Sequence, residues 1–352
     1  MPGGHQLRRR HAGGLQVDHQ QEHTAAGQKD TNMSAPTFTE HHVNHISMRV
    51  AEQGAGPLVL FCHGFPESWY SWRHQLSALA QAGYRAVAPD MRGYGATDAP
   101  TDVAQYTLLH VVGDMVELVR ALGEKQAVIV GHDWGAPVAW NAAMLRPDVF
   151  RAVVGMSVPF SPPGHLDFLS ALEKQGINNF YMQYFQKPGE AEAELQRDVE
   201  ASIRRIHFSG SGDCPERNVF GALAPGKGFL GNTVEPVSLP AWLTREDISY
   251  YTGEFQRAGF RGGLNWYRNL RRSWELLGPW RGCIVHQPSL FVAGARDSVL
   301  KFPAARANIE HFSNTLPGLR GCHLLEGAGH WVQRERAAEV SALLLRFLES
   351  LR

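Results

Sequence analysis

From about His45 onward, short apolar runs alternate with amphipathic stretches. Ile46-Ser47-Met48-Arg49-Val50 alternates apolar and polar residues, which predicts a half-exposed strand. Leu58 to Cys62 is continuously apolar and runs into His63-Gly64-Phe65-Pro66, the pattern of a central buried strand entering a loop. Ser68 to Ala80 carries apolar residues at helical spacing. Tyr84 to Ala88 reads as another strand, closed by Pro89-Asp90-Met91-Arg92-Gly93-Tyr94-Gly95. A helix is expected from Leu108 to Leu122, then a buried strand through Val128-Ile129-Val130, a helix from Pro137 to Leu145 and a strand from Arg151 to Met156. Pro137 suits its helix because a first turn does not need the missing N–H.

The regular alternation stops at Pro159, and from there to about His286 the chain reads as helices and loops. Thr244-Arg245-Glu246-Asp247 opens one helix, with Ile248, Tyr251 and Phe255 on a single face. Leu264, Leu270, Trp274 and Leu277 mark another. Strands return at Ser289 to Ala293 and Cys322 to Leu325, and an amphipathic helix from Ala337 to Leu348 closes the chain. Repeated strand–helix units predict an α/β fold: a mostly parallel central sheet covered by helices on both faces. Residues 34–158 and 287–352 are expected to form this core, with 159–286 inserted into one of its loops as a helical lid.

Composition changes the picture at one place, the first 33 residues. They are rich in Gly, His, Gln and Arg, nearly devoid of large apolar side chains, and lack the apolar core of a secretory signal. The expectation is a disordered extension, or sequence upstream of a true start at Met33. Elsewhere, 43% hydrophobic residues in a chain of 352 allow a large buried core. Lys plus Arg equals Asp plus Glu at 34 each, which removes any overall electrostatic bias toward nucleic acid or membrane surfaces. No apolar run approaches the roughly 20 residues of a membrane-spanning helix. The widely spaced cysteines Cys62, Cys214, Cys283 and Cys322 form no CxxC pair, so free thiols in a reducing, cytoplasmic setting are expected. Nothing in the pattern fixes an oligomeric state.

The chemistry is concentrated in Gly131-His132-Asp133-Trp134-Gly135. This is the Gly-x-nucleophile-x-Gly elbow that raises one reactive side chain above an α/β-hydrolase sheet, with Asp133 in the place where esterases carry Ser. A carboxylate there attacks an electrophilic carbon and forms an ester that must then be hydrolysed. Hydrolysis needs a base for water, and His330 in Glu326-Gly327-Ala328-Gly329-His330-Trp331 follows the last expected strand. With 17 histidines in the chain, most are ordinary surface or core residues. His330 stands out by its small flexible neighbours and by coming last in the order nucleophile, acid, histidine. Asp297, just after the strand ending at Ala293, is the acid that would orient it, although the segment seen alone reads more readily as a turn or helix cap. The backbone amides of Trp134 and Phe65 are the expected oxyanion donors.

Four segments carry a resemblance: His63-Gly64-Phe65-Pro66-Glu67-Ser68-Trp69, Asp90-Met91-Arg92-Gly93-Tyr94-Gly95, Gly131-His132-Asp133-Trp134-Gly135 and Gly329-His330-Trp331. From about residue 40 to its end the chain resembles the epoxide hydrolases of the α/β-hydrolase superfamily. Several of these motifs are shared with haloalkane dehalogenases, which use the same Asp–His–acid core and remain the alternative. The resemblance implies two lid tyrosines that donate to the epoxide oxygen. Asn179 to Gly189 resembles the segment of the first, at Tyr181, with Tyr184 three residues away as the competing register. Phe260 to Asn269 resembles the segment of the second, at Tyr267. A phenol, with a pKa of roughly 10, is protonated at neutral pH yet more acidic than an alkoxide. A departing halide needs no proton, so paired tyrosines favour the epoxide reading. No cofactor or metal is expected, and the partners implied are a small apolar epoxide and water.

Overall fold

The computed structural model describes residues 35–215, 219–302 and 304–352. The expected N-terminal extension, residues 1–33, lies outside the described residues.

Eight strands form one sheet in the order β1-β2-β4-β3-β5-β6-β7-β8. They are β1 (Thr37–Val43), β2 (Ile46–Gln53), β3 (Leu58–Cys62), β4 (Arg85–Pro89), β5 (Ala127–His132), β6 (Phe150–Met156), β7 (Ser289–Gly294) and β8 (Leu319–Leu325). β1 pairs antiparallel with β2 and β2 with β4; the pairs from β4–β3 to β7–β8 are parallel. The expected strands all form. β1 has no counterpart in the sequence reading, because most of its side chains are exposed and its pattern shows no buried face. It is held as the outer arm of a hairpin whose turn, Asn44-His45, has φ of +42° and +64°. Two consecutive left-handed residues make the tight hairpin turn usually signalled by Asn-Gly. Asn44 is tied down by donating to the His110 carbonyl at 3.0 Å and to Asp114 at 2.7 Å.

Helices cover both faces. Alternate residues of β3 point to opposite sides: Leu58 and Leu60 join a core with α2 (Leu108–Ala121) and α3 (Gly135–Leu145). Val59 and Phe61 join a second core with α1 (Arg73–Gln81) and a C-terminal helix, Ala337–Glu349. A 3-10 turn, Trp69–Trp72, precedes α1 where the sequence implied one continuous helix.

Between β6 and β7 the chain is built of short helices: α4 (Phe168–Lys174), α5 (Tyr181–Tyr184), α6 (Glu190–Gln196), α7 (Val199–Gly210), α8 (Arg245–Ala258), α9 (Arg261–Arg268) and α10 (Leu270–Leu276). α8 begins at the expected Thr244, whose side chain accepts from the Asp247 amide while Asp247 accepts from the Thr244 amide. The single helix expected around Leu264 to Leu277 is two, because Asn269 interrupts it. Its amide nitrogen donates to the carbonyls of Asn265 and Val103 at 2.9 and 2.6 Å, offering the backbone an alternative to helix. After β7 come α11 (Ala305–Glu310), α12 (Phe312–Thr315), α13 (Val332–Glu335) and α14, the helix Ala337–Glu349. Among the described residues, no helix is long and apolar enough to cross a membrane.

Candidate active site

The loops that leave the C-terminal ends of β3, β5, β6, β7 and β8 meet at one place, as open parallel sheets require of their sites. β5 delivers Asp133. Its φ is +50°, a left-handed conformation rare for a residue with a side chain. The flanking glycines make the turn possible. A Cβ on Gly131 would lie 1.9 Å from the Gly135 carbonyl oxygen, and one on Gly135 would lie 2.0 Å from that of Cys62. Only hydrogen fits in either place.

Asp133 is buried, and its two oxygens have different neighbours. Oδ1 accepts from the Phe65 amide at 2.8 Å, whereas Oδ2 faces His330 Nε2 at 3.4 Å. Nε2 itself makes no hydrogen bond to a described residue, so that contact is one of charge. On the other side of the ring, Nδ1 is 3.2 Å from each carboxylate oxygen of Asp297 and 3.0 Å from Ser157 Oγ. Burial alone would push the pKa of His330 down. The Asp297 and Asp133 carboxylates outweigh it and hold the imidazole up, at about 10. Burial likewise works against the charge of Asp297, but His330, the Ser157 hydroxyl and the Val299 amide keep its carboxyl below the usual range. The phenyl ring of Phe220 lies 4.6 Å from the His330 ring and closes one side of it.

Tyr181 and Tyr267 both come to this place, on α5 and α9, their rings 6.0 Å apart. Each is only 2% exposed, and burial raises each phenol well above its ordinary pKa. The negative charge of Asp133 raises both further, so both remain protonated beside it. Tyr184 points elsewhere and donates to Glu194 Oε2 at 3.0 Å. Trp134 stands at the N-cap of α3, and its ring packs edge-on against Tyr267 at 5.0 Å. Phe65, Phe185, Phe220 and Trp134 make the surroundings aromatic.

Several residues around this group were not singled out from the sequence. Glu67 is buried; its Oε2 accepts from the Gly64 amide at 3.0 Å and from His132 Nδ1 at 2.8 Å, and its Oε1 from Gln333 at 3.0 Å. Burial opposes its charge, but His132 and its other donors hold the carboxyl far below the usual range. The second nitrogen of His132 donates to the His330 carbonyl at 2.7 Å. One carboxylate thus ties together the loops of Phe65, Asp133 and His330. His63 ties the Phe65 loop to the loop after β4: Nδ1 bonds the Gly64 carbonyl at 2.9 Å and Nε2 accepts from the Met91 amide at 2.9 Å. Burial lowers its pKa to about 4, which keeps it neutral for that pair of roles. Glu335 accepts from the amides of Gly212, Gly329 and Trp331 at 2.8, 2.8 and 3.0 Å, stitching the His330 loop to the segment after α7. Glu67 and His132 sit inside motifs quoted above, His132 directly before Asp133, and that placement was the available signal. Glu335 gave none, since a carboxylate in a helical stretch reads as surface.

A family model for the alpha/beta hydrolase fold matches residues 57–337. Epoxide hydrolase A of Mycobacterium tuberculosis is 43% identical over 323 residues, 91% of this chain and 99% of that protein. Epoxide hydrolase 2 of Siraitia grosvenorii is 42% identical over 87% of this chain and 96% of its own. Among solved structures, an epoxide hydrolase from an endophytic Streptomyces superposes with a TM-score of 0.86 at 45% identity, covering 90% of this chain and 96% of that one. Epoxide hydrolase A of Mycobacterium thermoresistibile does so at 0.83 and 43%, covering 89% and 98%.

Proposed function

The chain belongs to the epoxide hydrolases of the α/β-hydrolase fold, and from that premise we propose that it opens small apolar epoxides with water to vicinal diols through an aspartyl ester on Asp133. The observation that carries the reading is the two buried phenols, Tyr181 and Tyr267, beside a buried carboxylate whose Oδ1 is already held by a backbone amide.

In the first half-reaction Oδ2 of Asp133 attacks an epoxide carbon. The carbon–oxygen bond breaks, and the departing oxygen takes a proton from Tyr181 or Tyr267. The phenols are positioned for this by burial, which keeps their protons on until an alkoxide, a stronger base, forms. Oδ1 becomes the ester carbonyl, in the place where Phe65 N–H donates; the Trp134 amide is the second donor of this reading. Esterification removes the charge of Asp133, one of the two carboxylates that hold His330 protonated. The imidazolium therefore gives up its proton to the phenolate and becomes a neutral base. In the second half-reaction His330 takes a proton from water, which adds to the ester carbon. Collapse releases the diol, and Asp133 and His330 return as carboxylate and imidazolium, so the balance is epoxide plus water to diol. Asp297 supports the charge on His330 throughout. Residues 159–286 act as the lid that supplies both phenols and excludes bulk water.

Asp133→Ala is expected to abolish diol formation from styrene oxide while the fold persists by circular dichroism. Turnover at the wild-type rate in that variant contradicts the mechanism. A dehalogenase would instead release halide from bromoalkanes, and the wild-type protein is expected to release none.

A further inference from the structure

Ser157 lies at the end of β6, fully buried, with φ of +68°. A non-glycine residue in that conformation is uncommon, and glycine would adopt it at no cost. Its amide donates to the Val292 carbonyl at 3.0 Å, which fixes the residue against β7 next to Asp297. Its hydroxyl donates to Asp297 Oδ2 at 2.6 Å. With its one proton so used, Oγ turns a lone pair to His330 Nδ1 at 3.0 Å. The Asp297–His330 contacts themselves are 3.2 Å, longer than the roughly 2.7–2.9 Å of a charge-assisted N–H···O bond. The short bond in this trio is the one that Ser157 makes. Oδ1 of Asp297 is held separately by the Val299 amide at 2.9 Å, so the carboxylate plane is fixed at both ends, with the imidazole facing it symmetrically.

We propose that Ser157 is a positioning residue of the hydrolytic half-reaction. Its hydroxyl orients Asp297 and shares Nδ1–H of His330, which keeps Nε2 as the nitrogen that takes the proton from water. The role explains why a side chain occupies a strained site, and it rests on the aspartyl-ester reading above. Ring opening at Asp133 does not use the base, so the two half-reactions separate the effect.

The test compares Ser157→Ala and Ser157→Gly with wild type on styrene oxide, by steady-state turnover and by intact mass of acid-quenched enzyme. Both variants are expected to lose about tenfold in kcat, the effect of one hydrogen bond to a charged group, and to accumulate the ester. Single-turnover ring opening stays at the wild-type rate. Alanine keeps the Cβ at the strained φ and glycine does not, so activity regained in the glycine variant assigns the loss to backbone and overturns the proposal. Wild-type kcat in both variants, with the ester trapped in wild type, overturns the role of Ser157 and leaves the mechanism standing. Failure to trap an ester on wild type at any quench time overturns the mechanism, and the proposal with it.

Discussion

Tyr181 and Tyr184 sit three residues apart on one short helix, yet only Tyr181 has its hydroxyl near Asp133; Tyr184 is spent on Glu194. If both Tyr181 and Tyr267 polarise the epoxide oxygen, Tyr181→Phe and Tyr267→Phe each slow single-turnover ring opening by about 100-fold, the lower range for a lost general acid. Tyr184→Phe leaves that rate unchanged. Rapid-quench measurement of the ester separates the three, and equal rates in all would remove the phenols from the mechanism. At this scale the candidates read from the sequence, Asp133, Asp297, His330, Tyr181 and Tyr267, come together in the structure. The sequence could not reveal which hydroxyl turned inward, because three residues on a helix fall only about 60° short of one full turn, so the two tyrosines share a face, and the partner of Tyr184, Glu194, comes from another helix. Nor did it reveal Glu67 and Ser157 as partners of His132 and Asp297, since those pairings span 65 and 140 residues.

The elbow is the element whose form follows most directly from its letters. Gly131 and Gly135 leave no room for a methyl group, and their roles were readable because a close backbone approach demands glycine. Gly135→Ala is expected to destabilise the protein by about 3 kcal/mol or more in urea unfolding, since backbone must move. Gly253→Ala, on α8 with nothing within 4 Å of its would-be Cβ, is expected to stabilise by about 0.5–1 kcal/mol through helix propensity. The opposite signs test the packing argument; destabilisation by both would contradict it. Strands with a buried face were equally legible. The edge strand β1 and the break between α9 and α10 were not. One has an exposed pattern and a turn without glycine; the other depends on an asparagine whose partner, Val103, lies far away in sequence.

Over the whole molecule, two buried histidines contribute to stability in opposite pH directions. His63 has its pKa lowered to about 4, so its contribution is complete above the unfolded value near 6.5 and is lost as pH falls toward 4. His330 has its pKa raised to about 10, so its contribution is complete below about 6.5 and is lost as pH rises toward 10. The melting temperature should therefore peak near neutral pH and fall on both sides. In His330→Gln the alkaline fall becomes shallower while the fall from about 6.5 toward 4 that belongs to His63 remains; an unaltered alkaline limb would contradict the ion-pair assignment. The same architecture joins the core to the helical segment between β6 and β7. His330 donates its amide to the Gly210 carbonyl at 2.8 Å, and Glu335 holds Gly212 beside it. His330 and the segment that carries Tyr181 and Tyr267 are thus hydrogen-bonded to each other beside Asp133. The central claim concerns that residue, and single turnover in ¹⁸O-labelled water with enzyme in excess tests it most directly. Attack by Asp133 predicts an unlabelled diol and ¹⁸O in the peptide containing Asp133, because water adds to the ester carbon. ¹⁸O in the first diol released, with an unlabelled peptide, would show that water opened the ring itself and would contradict the account.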